Sequence, residues 1–364
     1  VPEGRTSQRI GSPPSRDGGT QTSTPTDGGP LTDGGPTVDA GPETDAGPVM
    51  AYCGDQTCDA NESCMSCVTD CGPCQCPSGF ILHNSRCAPE SPEPFVSRLE
   101  SDVCGKWRSE FVTNVGTEWT ETFGSMDPCD PGEVSEGSHA NAIRRTNLYR
   151  WLSGLGQITE NPDRRGQQQD CAVVMHGLGS LDHTPPDTTP CWTQSGYDGS
   201  SSSNLAQAGG GLARSVDLYV GDRGVDSLGH RRWVLNPSMV DTTFGYKPPF
   251  SCMYSFSRGG NTPQDVQAYP PPGHVPEQAA PGLWSFRMDS MSFVAESTTV
   301  ELDIDDTGYS TVDSWVVGGG YGAGPVLAWD APTGTWSAGK TVRVRLTNAN
   351  SQSYSYTVVF VDCN

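Results

Sequence analysis

The sequence predicts an α+β protein, with helices in the middle of the chain, strands in its last third and a leader that builds no core. Three observations carry this. Four stretches between residues 137 and 235 place apolar side chains at helical spacing. From Trp284 onward the pattern turns to short apolar runs separated by Gly, Asp and Asn. Eight of the 14 cysteines crowd into residues 53–87, a density that marks a stapled module rather than a packed one.

Residues 1–50 are low-complexity. Thr26-Asp27-Gly28-Gly29-Pro30 recurs at 32–36, and again as Val38-Asp39-Ala40-Gly41-Pro42 and Thr44-Asp45-Ala46-Gly47-Pro48. Gly and Pro at these positions deny helix and strand, and almost nothing apolar is present to bury. The expectation is a disordered tether, in the style of a bacterial surface spacer, to a membrane or cell wall. Residues 51–92 form a disulfide-rich module that is too short for a core and must be cross-linked. Asp55, Asp59, Asn61, Glu62 and Asp70 are candidate oxygen ligands for one calcium ion, set against a solvated acidic surface on a disulfide knot. The pairs Cys64/Cys67 and Cys71/Cys74 would also suit zinc, although eight cysteines in a secreted context favour four bridges.

Pro-rich 88–94 links this module to the main body. Residues 95–135, with Cys104, Trp107, Trp119 and Cys129, read as an elaboration packed on the next domain. A first helix is predicted over 137–152, capped by Ser138, and a second over 164–175, stopping at Gly177. A third covers 212–220, and a fourth, 228–235, ends where Asn236-Pro237 forces it to. Strands are predicted over 242–246, 251–257 and 265–268. Six more come at 284–287, 298–304, 312–317, 326–329, 341–346 and 354–361, a β-sandwich module over 279–364. Cys363 is expected to tie this module down, with Cys252 as its candidate partner.

The charge of -21 and pI near 4.5 argue against a nucleic-acid partner, since a phosphate-binding surface needs clustered Lys and Arg. The 14 cysteines point to an oxidising compartment, and a chain beginning at Val1 reads as one whose signal peptide has been removed. No run approaches the ~18 apolar residues a membrane helix needs. A secreted or surface-tethered extracellular protein is expected.

Two segments stand out: His183-Thr184-Pro185, and Leu228-Gly229-His230-Arg231-Arg232-Trp233-Val234-Leu235-Asn236-Pro237. Between them lie Ser203-Asn204-Leu205-Ala206 and the amphipathic Ser215–Val220. A leading helix with Asn141, Arg144 and Asn147 precedes them, and Tyr269-Pro270-Pro271-Pro272-Gly273 comes after. In this order and with these gaps, residues 137–275 resemble the CAP superfamily of cysteine-rich secretory, antigen 5 and pathogenesis-related class 1 proteins, the SCP-like domain. The resemblance implies a three-layer α-β-α sandwich over 93–278, N-terminal extension included. It also implies an open cleft where two histidines and two acids meet.

On this chain the resemblance puts the histidines at His183 and His230 and one acid at Asp222, shorter than the usual glutamate. At the other acid's position stands Ser203, which lacks the charge that would orient a histidine or raise its basicity. Two neutral imidazoles, His183 and His230, are candidate zinc ligands, but two ligands without a firm third bind weakly. The plainer alternative has His230 packing a helix end and His183 in a polar loop. Ser203, His183 and Asp222 have the residue types of a hydrolase triad, yet the chain contains no Gly-x-Ser-x-Gly elbow and no His-Glu-x-x-His. The run 318–324 is glycine-rich but lies between strands, and reads as a turn. His176 is expected at a helix end, and His83, His139 and His274 have no evident partners. Trp192, Tyr197, Trp233, Phe244 and Tyr246 are candidate groove or core aromatics.

These readings converge on extracellular binding of a lipid, glycan or protein through a cleft containing His183 and His230. A metal-assisted hydrolase or peptidase using the same cleft is the rival, with His183 and His230 on zinc and Asp222 as base or as a support behind the ligands. A structural or adhesion protein with a vestigial cleft is the third reading.

Overall fold

Among the described residues helices predominate between 100 and 234 and strands from 241 onward, giving the mixed α+β chain that the periodicity predicts. The computed structural model describes residues 80–83, 86–89, 98–112, 119–120, 127–207, 209–260, 266–280, 282–288, 291–322 and 324–364. The expected tether and the calcium candidates Asp55, Asp59, Asn61, Glu62 and Asp70 lie outside these residues. Of the cysteine-rich module only a hairpin is described, β1 (Phe80–His83) against β2 (Arg86–Pro89).

Helix α1 (Glu100–Trp107) buries Val103, Cys104 and Trp107. Two short strands, β3 (Trp119–Thr120) and β4 (Glu133–Val134), pair before α2 (Glu136–Leu152). The cap of α2 is Ser135, whose side chain accepts from the Ser138 N–H at 3.2 Å, so Ser138 lies inside the first turn instead of capping it. β5 (Thr159–Glu160) leads into α3 (Arg165–Leu178). This helix runs past Gly177, where a Cβ would lie 2.1 Å from the Pro190 carbonyl oxygen. Gly177 therefore serves close approach, and the stop comes at Gly179, in the left-handed region at φ 73°.

A helix the periodicity does not show, α4 (Gln194–Ser201), comes next, capped by the Thr193 side chain. Its Gly/Ser-rich sequence is a poor helix former, so tertiary packing must hold it. At Gly199 a Cβ would lie 2.6 Å from the Gln167 carbonyl oxygen of α3, so the two helices approach to backbone contact.

Strand β6 (Ser203–Gln207), also unpredicted, joins β9 (Phe250–Tyr254) and β8 (Phe244–Lys247) in the order β6-β9-β8. Between them in sequence come α5 (Leu212–Gly221), α6 (Gly229–Val234) and β7 (Asp241–Thr242), the last paired with β5. Helices cover both faces of the three-stranded sheet. Adjacent residues of a strand point to opposite faces. Ser251 meets the Tyr219 hydroxyl of α5, while Cys252 is disulfide-bonded to Cys171 of α3.

The remaining strands make two larger sheets. One has the order β10 (Val266–Tyr269), β12 (Leu283–Met288), β16 (Val326–Asp330), β15 (Ser314–Val317). The other runs β11 (Gly273–Pro276), β18 (Ser353–Val361), β17 (Thr341–Thr347), β13 (Thr299–Ile304), β14 (Tyr309–Val312). The single strand expected over 312–317 is thus divided at Asp313, where the chain crosses between sheets. β10 and β11 lie before the expected 278/279 boundary yet pair with strands beyond it. Rings join the two sheets: Trp284 stacks on Phe360 at 5.8 Å, and Phe286 on Tyr356 at 6.1 Å. Burying each such ring is worth roughly 2–3 kcal/mol. One apolar core runs from Val103 in α1 through α2 and α5 to Phe360 in β18.

Cys363 bonds Cys104, not Cys252, and Cys129 bonds Cys191. The pairing with Cys252 fails because that side chain faces α3, away from the larger sheets. Among the described residues no helix is long and apolar enough to cross a membrane.

Candidate functional site

Helix α5 ends at Asp222, whose φ of 48° lies in the left-handed region that Asp tolerates better than most residues. The chain turns through 223–228 and enters α6 from Leu228, also left-handed at φ 52°. This loop brings Asp222 Oδ1 to 2.7 Å from His230 Nδ1, while Asp222 Oδ2 accepts the Arg231 N–H at 3.0 Å. The Asp222 side chain is fully buried, and that of His230 is 26% exposed. A carboxylate can only accept, so Nδ1 carries a proton aimed at Asp222, and in the neutral imidazole Nε2 then keeps its lone pair. The ring stacks on Tyr219 at 5.8 Å. Asn204 Nδ2 donates to the His230 carbonyl at 3.0 Å, and the Tyr219 hydroxyl donates to the Asn204 carbonyl at 3.0 Å. The Asn-Leu-Ala segment thereby carries α6.

His230 and Asp222 line a cleft of about 690 Å³, with Leu181, Leu205, Leu218 and Val225 as apolar lining and Gln278 and Ala279 also lining it. Arg214 and Arg223 stand at its polar margin. Asp217 and Tyr149, also in its lining, belong to a second polar cluster: Arg145 Nη1 donates to both Asp217 oxygens at 2.7 Å, and the Tyr149 hydroxyl donates to Asp217 Oδ1 at 2.9 Å. Burial, then the Asp217 charge, pushes the Tyr149 phenol well above its ordinary pKa, so it remains a donor. Both carboxylates of the cleft are thus matched, Asp217 by Arg145 and Asp222 by His230. Sequence reading missed the Arg145–Asp217–Tyr149 cluster; the available signal is the acid inside the otherwise apolar run 216–220.

The other tetrad positions sit elsewhere. His183 holds its Nδ1 2.9 Å from the Ser200 carbonyl and does not line the cleft. Ser203 is buried, donates to Gln168 Oε1 and likewise does not line the cleft. Among the described residues no three or more His, Cys, Asp or Glu side chains group to hold a metal ion, so the two-histidine zinc set lacks further protein donors.

Partners appear for two of the histidines that showed none in sequence. His139 lies 3.3 Å from Glu160 Oε1, at ion-pair distance but poorly aligned for a hydrogen bond, and His274 Nδ1 lies 2.9 Å from the Arg98 carbonyl. His176 closes α3 with Nδ1 3.0 Å from the Pro248 carbonyl. Phe244 and Tyr246 are buried, Trp233 packs on Phe256 at 4.8 Å, and Trp192 on Tyr197 at 6.3 Å; none lines the cleft.

No family model matches the chain, and no curated protein matches it. Among solved structures the chain is similar to an extracellular protein containing a SCP domain from Bacillus anthracis str. Ames, at 14% identity and a TM-score of 0.28. The match covers 34% of this chain and 41% of that one, too little overlap to carry an argument.

Proposed function

We propose that this chain is a secreted, CAP-type protein that binds an extracellular ligand in the cleft beside His230. In this reading residues 1–50 tether it, 51–92 form the disulfide knot, the three-stranded sheet between α3 and α5 is the central layer of an α-β-α sandwich, and the two larger sheets form a β-sandwich. The observation that carries the binding reading is the Asp222–His230 pair. A buried carboxylate fixes an imidazole that keeps one open acceptor nitrogen beside an apolar wall. Such a cleft suits a lipid, glycan or protein segment that packs an apolar portion on Leu181 and Leu218 and donates a hydrogen bond to Nε2. Both leucines are partly exposed, 42% and 39%, so among the described residues no side chain covers that wall fully.

The same pair supports a hydrolytic reading, since an imidazole held by a carboxylate can take a proton from water. The binding reading is preferred because Ser203 is buried on Gln168 and, among the described lining residues, no Ser, Thr or Cys faces the cleft.

Lipid and glycan panels screened against the wild type, His230→Ala and Leu218→Glu test this. A compound held by the wild type and lost at least tenfold in both variants supports binding; compounds held equally by all three would sink it. Turnover of peptide or ester substrates that vanishes in folded His230→Ala would move the hydrolytic reading ahead.

A further inference from the structure

The loop that positions Asp222 and His230 is strained at both ends. Asp222 and Leu228 each adopt a left-handed backbone that costs an ordinary L-residue roughly 1–2 kcal/mol, so contacts elsewhere must hold them. Those contacts come from the four-stranded sheet. Leu228 is fully buried in a cluster with Leu283 of β12 and Val326 and Ala328 of β16, packed by Trp315 of β15. The Trp315 indole N–H donates to the Asp226 carbonyl, inside the loop, at 3.0 Å.

Arg231 ties the loop and the sheet together. Its guanidinium donates to the Val220 carbonyl at 2.6 Å and the Gly221 carbonyl at 3.0 Å, the two residues before Asp222. It also donates to the Leu283 carbonyl at 2.8 Å and Ser285 Oγ at 3.2 Å, both in β12, and lies over the Tyr269 ring at 4.2 Å. Its own backbone N–H holds Asp222 Oδ2. One residue thus grips the acid directly, the backbone just ahead of it, and the strand behind. Only a planar fork with donors along two edges reaches oxygens in both elements; an ammonium on the same stem cannot.

We infer that Arg231 and Trp315 are positioning residues for His230, and that the four-stranded sheet is a working part of the cleft rather than a separate appended module. The inference rests on the cleft being the binding site, but its readout is the imidazole itself. An empty cleft and a dyad independent of the sheet therefore give different results.

The test is ¹⁵N NMR of His230 in the full chain, following exchange of the Nδ1 proton that faces Asp222. Arg231→Lys keeps the charge and loses the fork; Trp315→Phe keeps an aromatic ring and loses the bond to Asp226. Trp329→Phe is the control, since its indole N–H, in the same sheet, has no hydrogen-bond partner among the described residues. In both test variants Nδ1-proton exchange should quicken about tenfold, the effect of losing one hydrogen bond of ordinary net strength. Trp329→Phe should leave that exchange unchanged. If Arg231→Lys does not fold, Trp315→Phe decides. Unchanged exchange in the folded test variants, or an equal change in Trp329→Phe, would overturn the inference.

Discussion

Replacing Asp222 by Asn probes the dyad with almost no change of shape. Asn tolerates the left-handed backbone at φ 48°, so the loop is not strained further. What changes is the second oxygen, which becomes an NH₂ group that cannot accept. Two N–H donors face this side chain, His230 Nδ1 at 2.7 Å and Arg231 N at 3.0 Å. The Arg231 proton is fixed on the backbone, whereas the imidazole proton can move. The Asn oxygen should therefore take the backbone N–H, and its NH₂ should donate to Nδ1, driving the ring proton to Nε2. A hydrogen bond to a charged group is worth about 1.5–3 kcal/mol and a neutral one about 1, so exchanging two of the first kind for two of the second costs about 2 kcal/mol. The cleft nitrogen changes from acceptor to donor, and a ligand that donates to it should be lost. Imidazole ¹⁵N shifts report the tautomer and urea unfolding reports the stability. A ring still protonated on Nδ1, with stability within about 0.5 kcal/mol of wild type, would refute the reasoning.

Ser203→Ala should cost roughly 1–3 kcal/mol, because it strands the fully buried Gln168 carboxamide oxygen, yet leave cleft binding unaltered; urea midpoints and the ligand assay read these separately. Replacing Cys171 and Cys252 by Ser, which opens a loop of separation 81, should lower stability by up to ~4.5 kcal/mol, measured by denaturant unfolding. Burial first, then the Arg165 cation, holds the His139 pKa below its ordinary value of 6.5, against the pull of Glu160 and Glu136. The unfolded chain therefore takes up a proton near pH 6.5 that the folded chain refuses, so this contribution is whole above that pH and is lost as pH falls toward the folded value. His139→Gln should flatten that segment of the stability curve, checked by urea midpoints at about pH 7.5 and about pH 5.5.

Helices α2, α3, α5 and α6 were legible because each carries its apolar residues at helical spacing. Helix α4 was not, because its glycines record how closely α3 approaches, which a one-dimensional pattern does not contain. The division at Asp313 is hidden for a related reason: strand composition is the same on either side of the crossing. His230 and Asp222 could be named from motif and order, and they are hydrogen-bonded. His183 could be named but not partnered, since a backbone carbonyl such as that of Ser200 leaves no mark in sequence. Asp217 and Arg145, 72 positions apart, are matched only once α2 and α5 pack. Cysteine pairing was undetermined for the same reason, since spacing says nothing about which sheet face a thiol occupies.

The bond between Cys104 and Cys363 closes 259 residues of separation with Cα atoms 4.8 Å apart. Every residue of the cleft, from Phe111 to Ala279, lies inside that covalent ring. Tension entering ahead of Cys104 and leaving beyond Cys363 would cross the molecule through two sulfur atoms, loading neither the sheets nor the loop at Asp222. Mechanical load and ligand contact would run through separate parts of the same chain.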